Sequence, residues 1–394
     1  MKVVQINTSC GIGSTGKICV SISELLTQKG IENYILFSSK TNGYSLGIPC
    51  SNKRYTKLQA LKSRFLGNYG FNSKLETKRM IAELERIQPD IVHLHNIHGH
   101  DCNLAMLLGY LKEKKIKVYW TLHDCWNFTG YCTYFTFAKC DKWKTECHNC
   151  VLKSSYSWFF DRSSGLYQKK KNAVKGLDLT IVTPSQWLAD LVEQSFLESF
   201  PIKVVNNGID LNLFKPSVSN YRIKNNLENK KIVLGVASEW EKRKGLDVFI
   251  ELSKRLSDDY KIVLVGTNDA NDKELPSSII SIHRTNNQKE LAEIYTAADV
   301  FVNPTREDNY PTVNMEAIAC GTPVLTFRTG GSPECIDETT GSVVDCDDID
   351  ALEREIIRIC ETKPYSVEDC LKRARTFDQN ERFMEYISLY NSEI

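Results

Sequence analysis

The sequence predicts an α/β protein with two doubly wound parallel sheets, one in each half of the chain. Three observations support this: a length of 394 residues, short apolar runs that alternate with helix-period segments, and the grouping of those runs into two sets of six. A domain usually contains about 100–200 residues, so the chain accommodates two. Alternating strands and helices produce parallel sheets, whose strands are buried on both faces and therefore form nearly continuous apolar runs.

The predicted strands follow one another along the whole chain. Those of the first half are residues 2–7, 33–39, 90–96, 117–123, 179–185 and 202–207. Those of the second half are residues 230–238, 260–266, 279–285, 299–305, 323–329 and 341–345. Helix periodicity is clearest at 21–29, 77–88, 247–256 and 291–298. Residues 365–394 are predicted to be helical only.

The predicted domains are residues 1–205 and 230–378, with a linker at 206–229 and a final helix at 379–394. The linker is polar and contains Asn-Asn-Gly and a proline. Residues 1–205 contain 27 Lys and Arg against 16 Asp and Glu, while the remainder contains 23 against 33. This asymmetry indicates different partners for the two halves, and the basic half could meet phosphates or an anionic membrane surface.

Composition also excludes several classes of protein. No apolar run approaches the roughly 20 residues that span a bilayer, and the first residues have too short an apolar stretch for a secretory signal. We therefore expect a cytoplasmic protein, in which the 14 cysteines stay reduced. A net charge of +1 does not indicate a nucleic-acid partner.

A glycine-rich turn, Cys-Gly-Ile-Gly-Ser-Thr-Gly-Lys at 10–17, follows the first strand. It fits parts of the dinucleotide fingerprint and of the P-loop. The P-loop hydroxyl is missing, because Ile18 follows Lys17, and no acid ends the second strand. A turn that faces an anion at a helix N-terminus is one reading, and a tight turn without a ligand is the other.

A second group of polar residues follows the strand at 299–303. Glu307 and Asp308 lie in the next loop, and Pro311 suits the first turn of a helix that ends near Cys320. Glu316 lies on that helix, and carboxylates can accept the hydroxyls of ribose and sugars. Alternatively, the loop acids stabilise the helix dipole and Glu316 is solvated.

Several segments together resemble one family. They are Glu-Ala-Ile-Ala-Cys-Gly-Thr-Pro-Val at 316–324, Asn-Gly-Ile-Asp at 207–210 with Phe214, Lys244-Gly245, Leu-His-Asp at 122–124 and Gly-Gly-Ser-Pro-Glu at 330–334. The chain resembles retaining glycosyltransferases of the group 1, family 4 type along nearly its whole length. The cysteine-rich stretch looks like that of members that make colanic-acid-like and other surface polysaccharides.

The resemblance implies a GT-B fold, with two Rossmann-like domains that face a cleft. The first domain would bind the acceptor, the second would bind the nucleotide sugar, and the final helix would cross back to the first. The implied reaction moves a sugar from a UDP or GDP donor to a glycan or a polyprenyl-diphosphate-linked glycan. Alternatives are a nucleotide-sugar epimerase or phosphorylase of the same architecture, or a nucleotide-binding protein with a degenerate site.

The resemblance also implies roles for individual residues. The catalytic residues would be His123, Lys244, Asp308 and Glu316. The donor-binding residues would be Gly13, Gly16, Arg243, Lys244, Glu307, Asp308, Asn309, Tyr310, Pro311, Thr312 and Glu316. Glu316 would bind the ribose, Lys244 the diphosphate, and His123 would lie beside the donor sugar.

Two roles stay open. The first acidic position falls on Asp308, with Glu307 as the alternative. The family's usual arginine is replaced by Ser238 and Glu239, so Arg243 or Lys242 would supply its charge. We expect no cofactor for catalysis, since a cationic clamp can stabilise the leaving phosphate and Asp-Cys-Asp at 345–347 is interpreted as a turn.

The stretch 125–150 forms a predicted insertion that is rich in cysteine. Cys132, Cys140, Cys147 and Cys150 have the ingredients of a structural zinc site, and the last two have zinc-like spacing. The spacings of the others are looser. Free buried thiols and disulfides are the alternatives.

Residues 52–79 form a basic amphipathic segment with eight basic residues and one acid, Glu76. Its apolar residues are interleaved with Lys57, Lys62 and Arg64, which suits the inner face of an anionic membrane. The alternative is a helix whose apolar side packs on its own domain.

Overall fold

The structure is a computed structural model that describes residues 1–98, 100 and 102–392, and it divides into two compact units. The first unit contains Met1–Asn206 together with Phe383–Ile394, and the second contains Asn207–Arg382. The chain therefore returns to the first unit at its end. Residues 393 and 394 of the predicted final helix lie outside the described residues.

The first unit is built on a seven-stranded sheet. Its strands are β1 (Lys2–Cys10), β2 (Glu32–Thr41), β3 (Gly47–Pro49), β4 (Ile91–Leu94), β5 (Lys117–Thr121), β6 (Leu179–Thr183) and β7 (Ile202–Val204). They run parallel in the order β3-β2-β1-β4-β5-β6-β7. All six strands predicted for this half are present. The edge strand β3 was not predicted, because three residues that end in proline carry no recognisable strand pattern.

Helices cover both faces of this sheet. They are α1 (Gly13–Gln28), α2 (Lys53–Leu66), α3 (Lys74–Ile87), α4 (Leu104–Glu113), α5 (Lys153–Tyr156), α6 (Ser163–Val174) and α7 (Gln186–Val192). Successive residues of a strand point to opposite faces. Val3 accordingly packs with Ile22 of α1, while Val4 belongs to the cluster that contains Leu107 of α4.

The second unit contains a six-stranded sheet. Its strands are β8 (Lys231–Val236), β9 (Tyr260–Val265), β10 (Ile280–Ile282), β11 (Val300–Asn303), β12 (Val324–Phe327) and β13 (Gly341–Val344). They run parallel in the order β10-β9-β8-β11-β12-β13, and every one was predicted. Its helices are α8 (Tyr221–Lys224), α9 (Leu246–Arg255), α10 (Asp269–Asp272), α11 (Gln288–Ala297), α12 (Thr312–Ala319), α13 (Ile349–Thr362) and α14 (Val367–Ala374), followed by the start of α15 (Gln379–Asn391). The predicted fold class, two doubly wound parallel sheets, is confirmed.

The segment predicted as a linker packs into the second unit. Ile209, Phe214 and Leu227 are buried in its core, and residues 221–224 form a short helix. The polar composition of 206–229 concealed these widely spaced apolar anchors. Consequently the division between the units falls at residues 206 and 207, and a second division falls at 382 and 383.

Helix α15 completes the core of the first unit. Its buried residues Phe383, Tyr386, Ile387 and Tyr390 pack with α1 and the sheet. The Tyr390 hydroxyl lies 2.6 Å from Nδ1 of His93, and Thr121 donates a hydrogen bond of 3.1 Å to the Tyr386 hydroxyl. Among the described residues, none of the helices combines the length and the apolar composition needed to cross a bilayer.

Replacing Tyr386 with alanine tests this packing. Tyr386→Ala removes a buried ring and leaves a cavity, so we expect the free energy of unfolding to fall by about 3–5 kcal/mol. The exposed Ser388 lies on the same helix, and Ser388→Ala should change it by less than about 0.5 kcal/mol. Urea unfolding followed by tryptophan fluorescence measures both. Equal stability of the two variants would contradict the packing.

Candidate functional site

The candidate site of the second unit lies at the carboxyl ends of β8 and β11. These neighbouring strands mark the point where the order of the sheet reverses, which is where doubly wound sheets bind ligands. The turn Lys242–Lys244 lies between β8 and α9, and residues 304–311 connect β11 to α12. Gly245 has φ +80°, and a Cβ there would collide with Pro304, so the two connections pack closely together.

Lys244 and Asp308 form an ion pair at the centre of this site. The Lys244 ammonium contacts Oδ2 of Asp308, and only 18% and 15% of the two side chains are exposed. The other carboxylate oxygen accepts the Asn309 N–H at 2.9 Å. The pair therefore holds a half-buried cation beside the first turn of α12, which contains no acid.

The structure distinguishes Glu307 from Asp308, the two candidates for the first acidic position. Glu307 is fully buried, whereas Asp308 is partly exposed. Nη1 of Arg243 donates to the Glu307 carbonyl at 2.9 Å, and its Nε donates to the Glu241 carboxylate at 2.9 Å. Asp308 is thus the acid that a ligand can reach, and Arg243 holds the loop. Lys242 is exposed.

Glu316 lies in the middle of α12, as predicted, and is half-buried. Its Oε2 accepts a hydrogen bond of 3.1 Å from the Tyr295 hydroxyl. Burial, reinforced by the charge of Glu316, raises the pKa of Tyr295 well above its ordinary value, so Tyr295 remains a neutral donor. Sequence reasoning missed Tyr295, which lies on α11 without any local motif. The adjoining Tyr310 and Pro311 are buried, while Thr312 is half-buried.

Arg306 anchors the loop that contains Asp308. Its guanidinium pairs with Asp247 on α9 at 2.9 Å and with Asp347 at 2.7 Å. Asp347 lies in the 345–347 turn, as expected for that segment. A buried network of Asn303, Asn314 and Ser332 further ties α12 to β11, with bonds of 2.8 and 2.9 Å. None of these anchoring contacts was predicted.

The glycine turn lies at the corresponding edge of the first sheet, after β1. Helix α1 begins at Gly13, which is exposed, has φ +72° and leaves open space around its Cα. Gly16 is buried, and a Cβ there would press against Ser9. A ligand at this turn would therefore meet Gly13 and the N-terminus of α1, whereas Gly16 serves close packing.

His123 follows β5 at the same edge and belongs to a chain of hydrogen bonds. Its Nε2 lies 3.1 Å from Nδ1 of His95, whose other ring nitrogen lies 3.1 Å from Oε1 of Gln5. The next residue, Asp124, lies 2.7 Å from Nε2 of His98. Burial would raise the pKa of Asp124, but His98 and the Trp126 N–H lower it overall.

His93, His95 and His123 are neutral at neutral pH. Burial lowers the pKa of His123 to about 4 and that of His93 to about 3. His123 therefore acts as a hydrogen-bonding ring and not as a cation. The first unit thus offers neutral imidazoles beside Asp124 at its sheet edge, while the second unit offers Lys244 and the carboxylates.

Helix α2 presents its apolar residues outward. Gln59 and Ser63 are buried, whereas Leu58, Leu61 and Phe65 are 58, 49 and 50% exposed. We define the aromatic patch as these three apolar residues with Leu66, Trp158, Phe159 and Phe160. The Phe65 ring lies 5.5 Å from that of Trp158 and 5.1 Å from that of Phe159. The alternative in which α2 packs its apolar side inward is therefore wrong. The run Trp-Phe-Phe at 158–160, which sequence reasoning overlooked, forms the rest of this patch.

Comparisons with known proteins assign the family of this chain. Residues 16–213 match the model of Glycosyltransferase Family 4, and residues 217–380 match that of Glycosyl transferases group 1. The chain belongs to this family of glycosyltransferases, as its motifs indicated.

Relatives and solved structures match the chain, some of them over its whole length. A predicted colanic acid biosynthesis glycosyl transferase, WcaC of Escherichia coli K12, is 21% identical over 100% of both chains. A D-inositol 3-phosphate glycosyltransferase of Corynebacterium jeikeium is 27% identical over 43% of this chain and 45% of its own. Anabaena Alr3699/HepE, in complex with UDP and glucose, has a TM-score of 0.71 at 14% identity over 100% of both chains. WaaG, a glycosyltransferase involved in lipopolysaccharide biosynthesis, has a TM-score of 0.70 at 16% identity over 99% of both. These likenesses support the predicted fold.

The buried histidines predict a loss of stability in mild acid. Their pKa values are lowered in the folded state, so the unfolded chain binds more protons as the pH falls below about 6.5. Each then removes up to about 1.4 kcal/mol of unfolding free energy per pH unit. Urea unfolding between about pH 7 and pH 5 should show this slope.

A variant isolates the contribution of one ring. His93→Gln retains a polar side chain that does not titrate, so its stability should fall less steeply with decreasing pH. Ser388→Ala, which removes no titratable group and lies at an exposed position, should keep the slope of the unmodified protein. Parallel slopes for all three proteins would contradict the lowered pKa of His93.

Proposed function

We propose that this protein is a retaining glycosyltransferase that moves a sugar from a nucleotide diphosphate to a glycan or lipid-linked glycan during surface-polysaccharide synthesis. The Lys244–Asp308 pair beside the first turn of α12 carries this proposal. Support for the pathway comes from WcaC and WaaG, and support for a UDP donor comes from the neighbours bound to UDP and UDP-glucose. GDP remains the second donor to test.

The proposed donor site uses the second unit. The Lys244 ammonium and the N–H groups at the start of α12 bind the diphosphate, because both favour an anion. Glu316, oriented by Tyr295, accepts the ribose hydroxyls. Asp308 exchanges its bond to Lys244 for the hydroxyls of the donor sugar.

In the proposed reaction the bond between the anomeric carbon and the phosphate oxygen breaks, and a bond to the acceptor oxygen forms on the same face. The acceptor hydroxyl transfers its proton to the departing phosphate oxygen, and the nucleoside diphosphate leaves with the electrons of the broken bond. Lys244 and α12 stabilise the negative charge that develops on the leaving phosphate, a role that a metal ion otherwise fills. His123, as a neutral ring, orients the sugar through a hydrogen bond.

Two substitutions at the central pair should have opposite effects on nucleotide binding. Lys244→Met removes the phosphate cation, so the dissociation constant for UDP should rise about tenfold or more, equivalent to about 1.4 kcal/mol. Asp308→Asn frees Lys244, so UDP should bind as tightly or more tightly while sugar transfer falls. Calorimetry measures binding, and product formation from candidate UDP- and GDP-sugars measures transfer.

Glu338→Gln, which changes an exposed acid of the same unit, serves as the control and should behave as the unmodified protein. The anomeric configuration of the product, read by NMR, tests retention, and transfer in EDTA tests metal independence. Unchanged UDP binding by Lys244→Met would refute the donor site. Tight donor binding without transfer to any glycan acceptor would favour a degenerate binding protein.

We further propose that the aromatic patch contacts an anionic membrane surface that carries the acceptor. Bulky apolar side chains are interleaved with Lys57, Lys62 and Arg64, a pattern typical of interfacial helices. The two parts of the patch are joined, because Trp158 donates its backbone N–H to the Arg64 carbonyl at 2.8 Å. Helix α2 and the loop 157–160 thus present one surface.

Vesicle sedimentation tests this surface. Trp158→Ser combined with Phe159→Ser should weaken binding to vesicles of phosphatidylglycerol and phosphatidylcholine about tenfold or more, because each buried ring contributes about 1.5–3 kcal/mol. Val367→Ser, at an exposed apolar position of the second unit, should have no effect. Failure of the unmodified protein to bind anionic vesicles, or equal binding by the double variant, would contradict the proposal.

A further inference from the structure

The insertion after β5 is folded but has almost no regular structure. Within 125–150 the described backbone forms three short 3₁₀ helices, Trp126–Phe128, Thr136–Ala138 and Lys142–Lys144. It nevertheless buries the rings of Trp126, Tyr131 and Trp143 almost completely. Sheet or helix ladders therefore do not fix its path.

Four cysteines meet around a small cavity inside this insertion. Its volume is about 20 Å³, which is room for one atom the size of a water molecule, and Cys132, Cys140, Cys147 and Cys150 all line it. The sulfurs of Cys132 and Cys150 are 3.8 Å apart. That distance is far beyond a disulfide bond of about 2.05 Å, and it matches the edge of a tetrahedron with Zn–S bonds of about 2.3 Å.

Groups beside the cavity can stabilise the negative charge of a cysteine thiolate. The Gly130 N–H points at the sulfur of Cys147, at 3.2 Å. The Lys142 ammonium binds the carbonyls of His148 and Asn149 at 3.2 and 3.1 Å, which holds the turn between the last two cysteines. A backbone donor and a cation both favour negative charge on sulfur.

A buried lysine lies beside the insertion, and burial lowers its pKa well below the ordinary value. Lys170 on α6 is fully buried, and its ammonium donates to the carbonyls of Trp126 and Thr129 at 2.5 and 3.0 Å. A buried charge requires a compensating partner. A zinc ion bound by four thiolates carries a net charge of −2, which would favour the charged form of Lys170.

Another group of possible ligands carries no such support. Asp269, Asp272 and His283 are the one set in the described chain whose ligand atoms all lie within 4.8 Å of one another. All three are exposed, and His283 already pairs with Asp272 at 2.6 Å. The cysteine sulfurs are less tightly gathered than this, so an ion would draw Cys140 and Cys147 inward from the cavity wall.

We propose that Cys132, Cys140, Cys147 and Cys150 bind one zinc ion, which holds the insertion closed. The cysteines bind as thiolates and release their protons to solvent, with no change of oxidation state. Tyr131, next to Cys132, donates its hydroxyl to the Gly67 carbonyl at 3.0 Å. The ion would thereby also support the end of α2.

Metal analysis of the full-length protein tests the site. Protein purified under reducing conditions without chelators should contain about one zinc per chain. Cys147→Ser and Cys150→Ser should each contain less than about 0.2 zinc per chain, because a tight thiolate site needs all of its ligands. Cys346→Ser, which changes an exposed thiol of the second unit, should retain the full zinc content.

Spectroscopy of the unmodified protein tests the site even where the cysteine variants fail to fold. Cobalt exchanged into the unmodified protein should give the thiolate charge-transfer and visible bands of tetrahedral coordination, and a mercurial reagent should release the zinc as four thiols react. Less than about 0.2 zinc per chain in the unmodified protein would overturn the proposal. Equal zinc in all variants, or a disulfide in the native protein, would overturn it as well.

Discussion

Parallel pairing of the strands is the constraint on which the rest of the structure depends. A parallel sheet needs a crossover between successive strands, so helices cover both faces and the central strands are mostly buried. It also places the carboxyl ends of all strands at one edge. The glycine turn after β1 and His123 after β5 consequently share an edge in the first unit. Lys244 after β8 and Asp308 after β11 share one in the second. Residues 64 positions apart in the sequence become partners because β8 and β11 are neighbours in the sheet.

The two sheet edges offer contrasting chemistry. In the first unit, His95 and His123 share a hydrogen bond, the His93 ring packs against that of His95, and burial keeps all three imidazoles neutral. In the second, Lys244, Asp308 and Glu316 remain partly accessible and charged. The contrast follows from burial, because desolvation that neutralises an imidazole costs little, whereas an ammonium or a carboxylate requires a partner. Each exposed charge of the second site accordingly has one, since Lys244 pairs with Asp308 and Tyr295 binds Glu316.

The sequence predicts strands and site residue types well, because these depend on local pattern. All twelve predicted strands are present, and Asp308 and Glu316 lie in the loop and helix where they were expected. The contacts that hold these residues were not predictable. Tyr295 and Glu316 are 21 residues apart, and Arg306 and Asp247 are 59 apart, so no spacing rule connects them.

The amphipathic pattern of α2 left its orientation open, since a helical period does not reveal which face meets the protein. The burial of Gln59 and Ser63 shows that the polar face of α2 packs on the protein. The linker was misjudged for a related reason, because three apolar anchors spread over about twenty polar residues form no periodic pattern.

Helix α15 has a consequence for the order in which the protein folds during synthesis. The second unit is one continuous segment, so all of its parts have left the ribosome once residue 382 has emerged. The first unit is discontinuous. Its sheet emerges early, yet the cluster that contains Val3 and Ile22 stays incomplete until Phe383, Tyr386 and Tyr390 have been made. The part of the chain that is synthesised first therefore acquires its complete core last. Until then it exposes an apolar surface, which would make it dependent on chaperones during translation.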